Sequence, residues 1–191
     1  PGCPPAHPPP VGRGFRPRPA DVPAAVFAAD GPLLWWTRAG AALLGAPSPA
    51  PPRLRNFALD RFPVDGTPPR LALWPVTETD RDATDAAVVS DLRRATGRFP
   101  QDERLASLIR RLLAGNERFA RLWATGEVAA HREDHKSIDH PTVGPVEVDC
   151  DVLTDGDSDL KIVIMTAAPG SEDESKVQLA AVTGPPAVAR R

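Results

Sequence analysis

His131, His135 and His140 run towards Cys150, and these are the side-chain types that ligate zinc. The spacing fits no zinc signature, because His131-Arg-Glu-Asp-His135 is neither H-E-x-x-H nor H-x-x-E-H. Two of these histidines fall in a charged stretch that reads as a solvated loop. No metal centre is expected there. Asp155-Gly-Asp157-Ser-Asp159 begins like a calcium loop, but Leu160 stands where the sharp-turn glycine is needed and Thr166 where the bidentate glutamate belongs. A hairpin loop between two strands explains it. Pro169-Gly170-Ser171 offers a serine without G-x-S-x-G around it, and Ser171 reads as a helix cap. No nucleophile, base or metal set survives, so the sequence reads as non-enzymatic and calls for no cofactor.

Two further residues carry binding chemistry. Arg93 lies four residues after Val89 on the apolar side of its helix, where an arginine must snorkel to solvent or find an anionic partner. His140-Pro141 precedes Gly144 where an acidic strand opens, and reads as a turn histidine bonded to backbone.

The elements that must position these groups centre on Asp102 to Val128. Leu105, Leu108, Ile109 and Leu112 recur at helical spacing behind Asp102, whose carboxylate suits an N-cap. Gly115 and Asn116 break the pattern, and Asn116 caps a second helix whose buried face is Phe119, Leu122 and Trp123. Upstream, Ala24–Ala28 and Leu33–Trp36 flank Asp30-Gly31 as a hairpin. Thr37 caps a helix through Leu44, and a helical turn follows around Asn56–Phe62. Leu71–Pro75 is ambiguous. Asp82 to Ala95 reads as a helix with Ala86, Val89 and Leu92 on one face and Gly97 beyond its end.

Downstream the chain changes character. Val146, Val148, Cys150 and Val152 alternate with acids, as in a half-buried strand, and Leu160–Thr166 is a β-branched interior strand. Val128–Arg132 and Lys136–Ile138 are weaker strand candidates, and Ser171-Glu172-Asp173-Glu174 opens a final helix to Val182. Helices in the middle with strands at both ends predict an α+β fold on an antiparallel sheet.

Composition bounds the function. The chain has 191 residues, 24 prolines and a net charge of −2, so no general electrostatic case exists for nucleic acid. Arg13, Arg16 and Arg18 sit in a Pro/Arg-rich stretch, 1–21, that reads as a flexible tail or linker, and 184–191 reads as another. One ordered domain is expected over 22–183. Two cysteines, Cys3 and Cys150, make no disulfide framework, and no apolar run spans a membrane, so a cytoplasmic protein is expected.

The sequence resembles the ligand-binding domain of MmyB-like transcription regulators. The resemblance rests on Trp35-Trp36-x-Arg38-Ala39, Arg55-Asn56, Leu92-Arg93, Pro100-x-Asp102 with the leucine pattern after it, Phe119-x-x-Leu122-Trp123, Lys136-x-x-x-His140-Pro141-x-x-Gly144 and Ala168-Pro169-Gly170-Ser171. It covers roughly residues 21–182 in order. Thr37 stands where the family has Asn, and Asn116 where it has a serine cap. The resemblance implies a PAS-like antiparallel sheet with helices over one face, enclosing a pocket for a small apolar or amphiphilic, fatty-acid-like ligand. Trp36, Asn56, Arg93, Phe119, Trp123 and His140 are then the expected ligand-binding residues. In the family a helix-turn-helix domain precedes this one, and none can be fitted into 1–21, so DNA contact is expected only through a domain missing from this chain. A ligand would act by shifting dimer geometry, in a homodimer, or the attached domain. The rival reading is a stand-alone protein-interaction or dimerisation module with no small ligand.

Overall fold

The computed structural model describes residues 22–51, 54–64, 66, 71–131, 134–155 and 160–184, with Asp155 in its backbone only. The tail read at 1–21, residues 185–191 of the tail read at 184–191, and the loop at 156–159 lie outside the described residues. Among the described residues six strands form one antiparallel sheet: β1 (Ala24–Phe27), β2 (Leu33–Trp36), β3 (Val76–Glu78), β4 (Asp134–His140), β5 (Gly144–Asp155) and β6 (Leu160–Thr166), in the order β2-β1-β6-β5-β4-β3. The helices among the described residues are α1 (Arg38–Leu44), α2 (Phe57–Arg61), α3 (Arg81–Arg98), α4 (Glu103–Gly115), α5 (Glu117–Thr125) and α6 (Glu172–Thr183). The fold is α+β, with helices packing over the sheet. Among the described residues no helix is long and apolar enough to cross a membrane.

Strand periodicity decides which side chains face the helices. In β4 and β5, Lys136, Ile138, His140, Val146, Val148 and Cys150 are buried, while their neighbours His135, Asp139 and Asp151 are exposed. Ile138, Val146 and Val148 pack against Leu43 of α1 and Val177 of α6. A second core joins α2, α3, α4 and α5 through Phe62, Val89, Leu92, Leu105, Leu112 and Phe119. Its ends are capped as the sequence requires: Asp102 Oδ1 accepts from Arg104 N and Leu105 N, and Asn116 Oδ1 accepts from Phe119 N. Ser171 Oγ likewise accepts from Glu174 N at the start of α6.

Three local expectations are corrected. Gly97 lies inside α3, which continues to Arg98, because Phe99 N still bonds Ala95 O. Val128–His131 is not a strand: Ala129 N donates to Ser90 Oγ and Glu127 O accepts from Arg93, so side chains of α3 hold this segment instead of a neighbouring strand. His135 is not in a loop but in β4, paired with Asp149 of β5.

Candidate functional site

Register brings one row of side chains after another onto the inner face of the sheet. Trp36 pairs with Ala25, Ala25 with Val163, and Val163 with Val152, giving an apolar row across β2, β1, β6 and β5. Met165 pairs with Cys150 and Cys150 with Asp134; Lys136 pairs with Glu78. Opposite these rows, α1, α2 and the α3 residues Val88, Asp91 and Leu92 complete the walls of a cavity of about 800 Å³. That volume lies within the roughly 300–1,000 Å³ of small-molecule sites. Leu71 to Pro75 crosses one side of it, held by Leu73 N bonding Leu44 O and by Trp74 Nε1 donating to Leu43 O. Gly45 is required at this crossing: its φ is +84°, and a Cβ there would stand 2.7 Å from Leu73.

The cavity is apolar towards β2 and ionic towards β3. Lys136 Nζ lies 2.7 Å from Glu78 Oε1 and 2.8 Å from Asp134 Oδ2. Arg61 joins Glu78 to Asp85, and Asp85 also receives Arg118 Nε at 2.5 Å. Burial would raise the Glu78 carboxyl, but the hydrogen bonds from Arg61 and Lys136 outweigh it and hold it below its ordinary value. Burial would likewise raise Asp91, and His131 Nε2 at 2.7 Å with Lys161 Nζ at 2.7 Å overrides it in the same sense. Lys136 is pushed up despite burial by its bonds to Asp134 and Glu78. Burial raises the Cys150 thiol to about 11, so this cavity-lining cysteine stays protonated and unreactive at neutral pH. Among the described residues no group of three or more His, Cys, Asp and Glu could hold a metal ion.

The six residues expected at the site are dispersed. Trp36 lines the cavity, and the Arg55 guanidinium lies 5.0 Å over its ring. Asn56 lies outside the lining and caps α2: Oδ1 accepts from Ala58 N at 2.8 Å, and Nδ2 donates to Asp30 O at 2.8 Å. Arg93 resolves its awkward position through backbone carbonyls rather than an anion, donating to Trp123 O at 2.5 Å and Glu127 O at 3.0 Å at the end of α5. Its guanidinium also lies 4.9 Å over the Trp123 ring. Phe119 and Trp123 belong to the helical core, stacked at 5.6 Å, with Phe62 edge-on to Phe119. His140 is one layer behind the cavity wall. Its Nε2 faces Ala42 O at 3.0 Å, its Nδ1 accepts from Thr142 N and Val143 N, and its ring stands edge-on to cavity-lining Trp74.

Arg61, Glu78, Lys161 and Asp91 are cavity-lining residues that sequence reasoning missed, and Lys136 entered it only within the family motif, without a role at the site. A signal was present for two of them. Lys136 shares strand parity with buried Ile138, and Lys161 with cavity-lining Val163 and Met165, so each lysine points to the covered face of its strand.

Comparison with known proteins gives one family. Residues 18–180 match the profile described as MmyB-like transcription regulator ligand binding domain. No curated protein matches the chain.

Proposed function

The chain belongs to the MmyB-like transcription regulator ligand binding domain family, and from that premise we propose that it senses a small amphiphile with a fatty-acid-like tail and passes the binding event to an attached or partner DNA-binding domain. The observation that carries this reading is the cavity of about 800 Å³ across the inner face of the antiparallel sheet. Trp36, Leu44, Leu73, Val163 and Met165 offer a tail an apolar bed, at about 0.8 kcal/mol for each buried methylene. Eight or more buried carbons therefore contribute more than any one head-group hydrogen bond, worth roughly 0.5–1.5 kcal/mol. Coupling follows from linkage: a ligand shifts the regulator only by its difference in affinity for two conformations. The segment Leu71–Pro75, tied to α1 by two hydrogen bonds, is the wall best placed to differ between them.

A second reading, a protein-interaction or dimerisation module, draws on the outer face of the sheet. There Trp35 is 42% exposed and Leu153 53% exposed.

Titration of the lipid-stripped chain with 1-decanol, followed by tryptophan emission, tests the sensing reading. Trp36 and Trp74 both line the cavity and report its filling. A saturable change with a raised melting temperature is expected. Unchanged emission and melting would leave the interaction module as the better account.

A further inference from the structure

Among the described residues, the cations whose side chains are largely buried at the ionic end of the cavity are already engaged. Lys136 is held between Glu78 and Asp134, Lys161 rests on Asp91, and Arg61 bridges Glu78 and Asp85. Arg81, a further lysine or arginine described in the lining, is exposed at the start of α3. Lys136 and Lys161 keep ammonium hydrogens to spare, but their charges are already balanced by Glu78, Asp134 and Asp91, so a carboxylate head entering this end brings a further negative charge beside those acids. An extra charge without compensation in a low-dielectric site is strongly unfavourable.

Acceptors are in surplus. An ionised carboxylate offers about four lone-pair positions. Among the described residues Glu78 and Asp134 together receive three side-chain bonds, all from Arg61 and Lys136. Both acids line the cavity, with side chains only 10% and 12% exposed. A donor arriving at this end meets open lone pairs and disturbs no ion pair.

We propose that the cavity selects its ligand by the head group, taking an amphiphile whose uncharged head donates hydrogen bonds, a hydroxyl or a primary amide, to Glu78 and Asp134, and disfavouring a carboxylate. This rests on the sensing reading above and supplies the half of the ligand that the apolar bed leaves unspecified. The tail lies over Val152, Val163 and Met165 towards Trp36. The head reaches the Lys136–Glu78 pair.

Calorimetry on the full chain, stripped of lipid, with a matched decyl series decides it: 1-decanol, decanamide, decanoate and methyl decanoate at pH 8. The alcohol and the amide are expected to bind at least about tenfold more tightly than decanoate, a difference of about 1.4 kcal/mol. The ester, which accepts but does not donate, falls between them. In Asp134→Asn, Lys136 loses one of its two carboxylate partners, and decanoate gains on decanol by several-fold. Decanoate binding as tightly as decanol or more tightly, or a ratio unmoved by Asp134→Asn, overturns the head-group assignment while leaving sensing intact. If no decyl compound binds, the sensing reading falls and the head-group assignment with it.

Discussion

Two halves of the molecule share α3 and are built on opposite terms. On one side, α3 meets α2, α4 and α5 in a core where Phe62, Leu112 and Phe119 have no exposed surface and the aromatic rings meet edge to face. On the other, the same helix turns Val88, Asp91 and Leu92 towards a cavity of about 800 Å³ with half-buried strands beneath it. Arg61 belongs to both, gripping Asp85 on the helical side and Glu78 on the cavity side. The difference teaches how a small domain can keep an unfilled interior. Close packing in the helical half stabilises the fold, so the sheet half is free to keep space and buried charge for a partner.

Substitutions that treat the halves alike should give unlike results. Phe119→Ala is expected to cost about 3–5 kcal/mol, and Met165→Ala, half-buried on the cavity wall, less than the roughly 2–5 kcal/mol of a fully buried methionine. Chemical denaturation of both variants reads the contrast, and equal losses would break it. Asp85 comes next. Its carboxylate is fully buried between Arg61, which keeps Glu78, and half-exposed Arg118, which keeps Asp82, so Asp85→Ala takes one partner from each guanidinium and costs less than the roughly 3–5 kcal/mol of breaking an isolated buried pair. Trp123→Ala should cost less than Phe119→Ala, since Trp123 is half-buried at the edge of the same core.

Val163→Phe sharpens the comparison from the other side. Overpacking a dense core costs about 1–3 kcal/mol. Here the added ring enters space already present, so the loss should stay below about 1 kcal/mol while decanol binding is abolished. Intact binding in a stable Val163→Phe protein would place the ligand elsewhere.

Much of this contrast was legible in the sequence on the helical side and little on the sheet side. Leu105, Ile109, Leu112 and the caps Asp102 and Asn116 announce their helices because the determinants are local in the chain. The β1–β2 hairpin and the alternation in β5 were readable for the same reason. The sequence D-H-K-S-I-D-H of β4 and the three residues of β3 carry no apolar alternation, and Lys136 meets Glu78 only through pairing across 58 positions. Arg93 reads in the sequence as a charge that must snorkel to solvent or find an anionic partner. Its partners are carbonyls at the end of α5, which no side-chain pattern reveals.

Acid weakens the cavity half through its ion pairs. Glu78 and Asp91 both titrate below their ordinary values of 4.5 and 3.8. Their stabilisation is therefore fully present above those values and is lost as pH falls through the lower folded values. Acid unfolding of Glu78→Gln should be shallower than that of the parent chain, and coincident curves would remove Glu78 from the account. The smallest effect belongs to His135 on the exposed face of the sheet. Its hydrogen bond to Asp149, with Glu147 close by, raises it above the ordinary 6.5. That stabilisation is fully present below 6.5 and fades as pH rises through the raised value, weakly because water screens the pair. His135→Gln should flatten this slight slope in melting temperature.

The claim that the unfilled half is a ligand site is tested most directly by native mass spectrometry of the chain as purified. A bound small apolar molecule, released on denaturation and missing from Val163→Phe, is the predicted result. A bare polypeptide mass under native conditions, joined by failure of the stripped chain to take up decanol, would contradict it.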